Sequence, residues 1–149
     1  MKKEDKEKQI ERRLAIVSDL NLIVSDKPYV GELTQYAVES IKSGRGNYPI
    51  ANLMAYCDDM NVMVKLVDMN TYDEYPLIDQ KNLHEILGEL MYHYNVTPTI
   101  ILREGEVYYT PPGYNDEKRK AEEEELTISV DTFMGVCDVL HCYLKFESE

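Results

Sequence analysis

The sequence predicts a mainly α protein with short β-strands, an α+β fold made of two related helix–strand halves. Three observations lead there. Apolar residues recur three or four positions apart over several stretches of helical length. Strand composition is confined to short runs such as Val62-Met63-Val64-Lys65-Leu66-Val67. Residues 53–66 also align without gaps on residues 133–146, 80 positions later, with Met, Cys, Asp and Lys identical at four of fourteen positions. Most other aligned positions exchange one apolar residue for another, so a helix-then-strand unit closes each half. Duplication accounts for this, and so does the general likeness of any amphipathic helix followed by a strand.

The elements follow in order. Residues 4–24 read as a helix, with Ile10, Leu14, Val17 and Leu20 on one face. Ser25-Asp26-Lys27-Pro28 breaks it, because proline disfavours helix at the residue before it. A second helix starts at Thr34, a good N-cap, and ends at Gly44, which adopts a left-handed C-terminal conformation without strain. A third spans 49–60, with Pro49 in its first turn and Ile50, Leu53, Met54 and Cys57 on one face. A strand over 62–67 follows. Residues 68–81 are polar and turn-rich, and mark the boundary between a first half, 1–67, and an acidic second half, 82–149. Asn82 is placed to cap a helix carrying Leu83, Ile86, Leu87, Leu90 and Met91. Residues 99–103 and 107–110 flank Glu104-Gly105-Glu106 and predict a β-hairpin, which Pro111-Pro112-Gly113 ends. Residues 116–125 read as a charged helix or mobile loop, 129–140 as a last apolar helix and 142–146 as a last strand.

With 149 residues, 44% hydrophobic and 30% charged, the chain is globular and forms one domain or two small ones packed together. Its formal charge of −12 argues against a basic nucleic-acid coat or an anionic-membrane binder. That charge is unevenly placed. Residues 1–66 hold 10 Lys+Arg and 10 Asp+Glu, whereas residues 67–149 hold 6 and 18. Such asymmetry marks either different partners for the two halves or a solvated acidic surface. Three Cys without pairing spacing argue against a disulfide framework and for a reducing cytoplasm. The charged start, MKKEDKEKQIERR, is unlike a signal peptide, and no run of about 18 apolar residues exists to span a membrane.

Residues 33–62 carry a denser pattern: Leu33, Thr34, Gln35, Val38, Ile41, Gly44, Asn47, Pro49, Leu53 and Val62. This spacing resembles the second half of an Xre/Cro-type helix-turn-helix, the lambda-repressor-like fold. The resemblance implies a sequence-specific DNA-binding transcriptional regulator that inserts the helix at residues 34–43. Val38 and Ile41 then face the core. Thr34, Gln35, Tyr36, Glu39, Lys42 and Ser43 form the reading face, and Arg45 and Asn47 meet the backbone just beyond it. Gln pairs with adenine, while Lys and Ser reach phosphates or bases. A single small unit contacts little DNA, so a homodimer is expected. One departure stands out. Where the family places a helix before the turn, this chain has Ser25-Asp26-Lys27-Pro28-Tyr29-Val30-Gly31-Glu32, too short and Pro-broken for a regular helix. Residues 44–58 (GRGNYPIANLMAYCD) and 107–112 (VYYTPP) are also similar to stretches of uncharacterised proteins of Bacteroides-type bacteria, a likeness that implies no activity.

The rival reading is a non-catalytic protein-interaction module with a degenerate helix-turn-helix, whose acidic half, including the run at 122–125, holds a basic protein partner. Cys137, His141 and Cys142 lie close in sequence but lack the pair motifs of a metal site. Cys57 and Cys137 are better read as core thiols. His84 and His93 are not in zinc-protease order, and no phosphate loop or nucleophile elbow is present. Neither catalysis nor a cofactor or metal is expected. Tyr92, Tyr94, Tyr108 and Tyr109 read either as a binding surface or as the half-buried lid of a small core.

Overall fold

The computed structural model describes residues 6–104 and 111–149. Its elements run α1 (Lys6–Val24), α2 (Gln35–Ser43), α3 (Ile50–Asp59), β1 (Val62–Asp68), β2 (Glu74–Pro76), α4 (Gln80–His93), α5 (Pro98–Glu104), α6 (Pro111–Glu122), α7 (Val130–Val139) and β3 (Cys142–Ser148). The fold is mainly α with a small antiparallel sheet of order β2-β1-β3, as the sequence predicts.

Local chemistry sets most boundaries. The Thr34 hydroxyl accepts from the Ala37 N–H at 3.1 Å, and Gly44, at φ 65°, closes α2 by donating its N–H to the Ser40 carbonyl. Gly44 is needed twice over, because a Cβ there would stand 3.0 Å from Val17 Cγ2. Ser129 caps α7 by accepting from the Thr132 N–H at 3.1 Å. The helix α4 begins earlier than predicted, since Asp79 rather than Asn82 caps it. Asp79 accepts from Asn82 N–H at 2.7 Å, while Asn82 Oδ1 accepts from Ile78 N–H at 2.8 Å.

Three expectations are corrected. The first predicted hairpin strand, residues 99–103, is instead helix α5. Pro98 supplies a preset first turn, the Thr97 hydroxyl accepts from Ile100 N–H at 3.2 Å, and Ile101 is fully buried. A short apolar run does not by itself distinguish strand from helix; the predicted second strand, 107–110, lies outside the described residues. Pro111 opens α6 rather than ending a hairpin. The connection at 68–81 contains β2, paired antiparallel to β1 with Leu66 opposite Tyr75; the proline of β2, Pro76, is tolerated on this edge strand.

The internal similarity has a structural counterpart. In the β1–β3 ladder Lys65 pairs with Lys145, Val64 with Phe146 and Leu66 with Leu144, so exchanging each residue with the one 80 positions away maps the ladder onto itself. The same exchange interconverts the Ile50 N–H bond to the Ile128 carbonyl (3.0 Å) and the Val130 N–H bond to the Tyr48 carbonyl (2.7 Å). Left-handed residues match as well: Gly44 (65°) with Glu124 (57°), and Asn61 (58°) with His141 (55°). The helix–strand units α3–β1 and α7–β3 are thus related by a local two-fold axis through the Lys65/Lys145 pair. Leu53, Phe133 and Val136, all buried, belong to one core contributed by both halves.

Across this relation, α1 ties the halves together. Arg13 Nε lies 3.1 Å from Asp131 Oδ1 on α7, with both side chains buried, and Arg12 and Lys8 both pair with Asp138 on the same helix. Residues 25–34 carry no helix. They are pinned to α3 by Tyr29, whose hydroxyl donates to Asp59 Oδ2 at 2.6 Å and accepts from Leu33 N–H at 3.0 Å, and whose ring stacks on Tyr56 at 5.6 Å.

Candidate interaction surfaces

The predicted reading face falls mainly on one side of α2. Val38 and Ile41 are buried as expected, and Gln35, Tyr36, Glu39 and Lys42 are exposed. Tyr36, Glu39, Ser43, Arg45 and Asn47 line a common groove of about 500 Å³. Gln35 and Lys42 stand outside it, and Thr34 is committed to the helix cap. Asn47 has a structural task too. Its Oδ1 accepts from Tyr48 N–H at 3.0 Å and from Asp131 N–H at 3.1 Å, joining the halves. Glu39 offsets one of the two cations, Lys42 and Arg45, so the face is only weakly basic.

A compact helix-turn-helix joins its helices by three or four residues, which fixes how the second helix is presented. Here the ten residues 25–34 separate α1 from α2 without a helix between them. The first half therefore lacks the helix that stands ahead of the turn in the resembled family. α2 is held instead by α1 packed against Gly44 and by the Tyr29 anchor.

The second half presents a different surface. One face of α4 and one face of α6 form a groove of about 430 Å³, walled by Lys81, Glu85, Glu89, Lys118 and Glu122, with Tyr92 at its rim. A second groove, of about 620 Å³, continues from the same Glu89 and Tyr92 toward Asp68, Asp73 and His93. Tyr92 is 87% exposed. Glu85, Glu89 and Glu122 form no ion pair among the described residues. Asp68, by contrast, is buried and satisfied. Burial pushes its carboxyl up, but hydrogen bonds from Tyr94 and from the Asn70 and Thr71 N–H groups outweigh this and hold it below its ordinary value.

The floor of the first groove is His84 and Tyr114, their rings 4.9 Å apart. Gly88 lets the Tyr114 ring approach, since a Cβ there would lie 3.1 Å from its hydroxyl. His84 is only 5% exposed, and burial holds its imidazole below the ordinary value, with Glu117 acting in the opposite direction. Its ring hydrogen-bonds to the Tyr114 backbone, and its Nε2 is buried with no hydrogen-bond partner among the described residues.

No family model matches the chain, and no curated protein or solved structure is significantly similar to it.

Of the acidic run at 122–125, Glu122 lines the groove and Glu124 instead accepts from Gln80 N–H at 3.3 Å, holding α6 to α4. The tyrosines divide: Tyr92 is a rim residue, Tyr94 bonds Asp68, and Tyr108 and Tyr109 lie outside the described residues. Sequence reasoning passed over Gly88 and Tyr114. The spacing of Lys81, Glu85, Glu89 and Tyr92 on one helical face was the available signal. The three thiols are buried, and burial pushes those of Cys57 and Cys142 up to about 12, which leaves them protonated and unreactive at neutral pH. Among the described residues no group of His, Cys, Asp or Glu is arranged to hold a metal, and no helix is long and apolar enough to cross a membrane.

Proposed function

We propose that the chain is a non-catalytic protein-interaction module with a degenerate helix-turn-helix in its first half and a partner-binding surface in its acidic second half. The observation that carries this reading is Tyr92, 87% exposed at the shared rim of two grooves whose walls hold Glu85, Glu89, Glu122 and Asp73. An exposed aromatic between concave, charge-biased walls is the kind of anchor that dominates interface energy. The carboxylates favour a basic partner and steer its approach. Immobilised protein should retain Arg/Lys-rich peptides over Asp/Glu-rich ones of equal length. The triple variant Glu85→Gln, Glu89→Gln, Glu122→Gln should lose that preference, and equal retention of both peptides would defeat the reading.

A second reading, DNA binding through α2, is favoured by the outward display of Gln35, Tyr36 and Lys42 and by the adjacent Arg45. It predicts salt-dependent binding of promoter-region DNA that Lys42→Ala and Arg45→Ala weaken.

A further inference from the structure

We infer that the α4/α6 groove receives an arginine side chain of the basic partner, with His84 as its hydrogen-bond acceptor; this rests on the interaction-module reading above. Because Nε2 has no partner and the bond to the Tyr114 backbone raises the ring's proton affinity, as donation to a carbonyl does, we assign that bond to Nδ1–H. Burial keeps the imidazole neutral, so Nε2 presents a lone pair and accepts rather than donates. An acceptor buried in a groove floor calls for a donor entering from the groove.

The walls specify which donor. Glu85 and Glu89 are one helical turn apart on α4, Glu122 faces them from α6, and none is ion-paired among the described residues. Lys81 and Lys118 offset part of this charge, but the continuation of the trough past Glu89 adds the exposed Asp73. Four carboxylates (Glu85, Glu89, Glu122 and Asp73) against two lysines favour a cation. A guanidinium fits better than an ammonium, because its planar fork bonds an imidazole nitrogen and a carboxylate together and stacks on aromatic rings such as Tyr114 and Tyr92. A hydroxyl or neutral amide would meet the His84 acceptor but would leave the carboxylates unanswered.

The experiment uses the full chain, a nine-residue peptide with one central arginine among lysines, and the same peptide with that arginine replaced by glutamine. The imidazole nitrogens of His84 are followed by NMR while affinity is measured by calorimetry. The arginine peptide should shift the His84 Nε2 resonance and bind about tenfold more tightly than the glutamine peptide, as expected for one hydrogen bond to a charged group. His84→Phe, which keeps an apolar ring in the core, should abolish that tenfold difference while far-UV circular dichroism stays unchanged. Equal affinity of both peptides, with no movement of His84, would overturn the arginine pocket and leave the interaction-module reading standing. Absence of binding by both peptides would overturn both.

Discussion

Lys65 and Lys145 lie directly opposite each other as Cα partners in the central strand pair, each at the same place in its own helix–strand unit. Like charges in that position repel. Glu74 and Glu147 resolve the conflict: Lys65 lies 3.2 Å from Glu74 and 3.0 Å from Glu147, and Lys145 lies 3.5 Å and 3.0 Å from the same two carboxylates. The two-fold relation between the helix–strand units places both lysines on the axis. Glu74, from the β2 edge strand, has no counterpart that the two-fold relation requires.

This arrangement predicts an acid-sensitive sheet. Hydrogen bonds from Lys145 and then Lys65 hold the Glu147 carboxyl below its ordinary value of 4.5. On acidification the unfolded chain therefore takes up its proton first. The stabilisation is complete above that ordinary value and is lost as pH falls through the lowered folded one. Urea unfolding across the acid range should show a shallower loss of stability in Glu147→Gln than in the wild type. Lys145→Met should raise the Glu147 titration midpoint, read by NMR.

His84 predicts a second pH effect, at a different pH. Its folded-state affinity for a proton is lowered by burial relative to an ordinary value of 6.5, so the unfolded chain binds more protons just below that pH. Stability should be constant above about pH 6.5 and fall as the medium is acidified toward the lowered folded value. His84→Phe should remove this decline, measured by denaturant midpoints at neutral and mildly acidic pH.

Gly44→Ala should cost about 1–2 kcal/mol by urea unfolding, because a β-carbon is disfavoured in the left-handed region and would press on Val17. Glu124 holds the equivalent left-handed position with a side chain, so Glu124→Gly should be less harmful than Gly44→Ala. A gain for Gly44→Ala would contradict the cap assignment.

The Arg13–Asp131 pair, buried between α1 and α7, should be costly to break from one side only. Arg13→Met leaves a buried carboxylate and should destabilise by about 3–5 kcal/mol, whereas Arg13→Met combined with Asp131→Leu should recover most of that loss. Equal effects of the single and double variants in denaturant unfolding would show that the pair does not hold the halves together.

Elements with strong local signals were legible in the sequence. Thr34 and Gly44 bracket α2, and the repeated Met-x-x-Cys-Asp segment marks both helix–strand units. Two features escaped because tertiary context decides them. The Thr99-Ile100-Ile101 run has strand composition, yet Pro98 and the burial of Ile101 make it helical. Glu74-Tyr75-Pro76 is too short and polar to announce a strand, and pairs only because β1 offers it an edge. The α2 face was partly legible, since periodicity separates Val38 and Ile41 from the exposed positions. The α4/α6 groove was not, because its floor joins His84 and Gly88 to Tyr114 across a sequence gap that no helical period spans.

One titration separates the α4/α6 groove from α2 as the binding face. Fluorescence anisotropy at low salt compares a labelled arginine-containing basic peptide with a labelled promoter-region DNA duplex, each against the full chain. The peptide should bind saturably, the Glu85→Gln, Glu89→Gln, Tyr92→Ser variant should lose that binding, and the duplex should not bind. Salt-dependent duplex binding weakened by Lys42→Ala and Arg45→Ala, with the peptide unbound, would contradict the interaction-module reading and restore α2 as the working face.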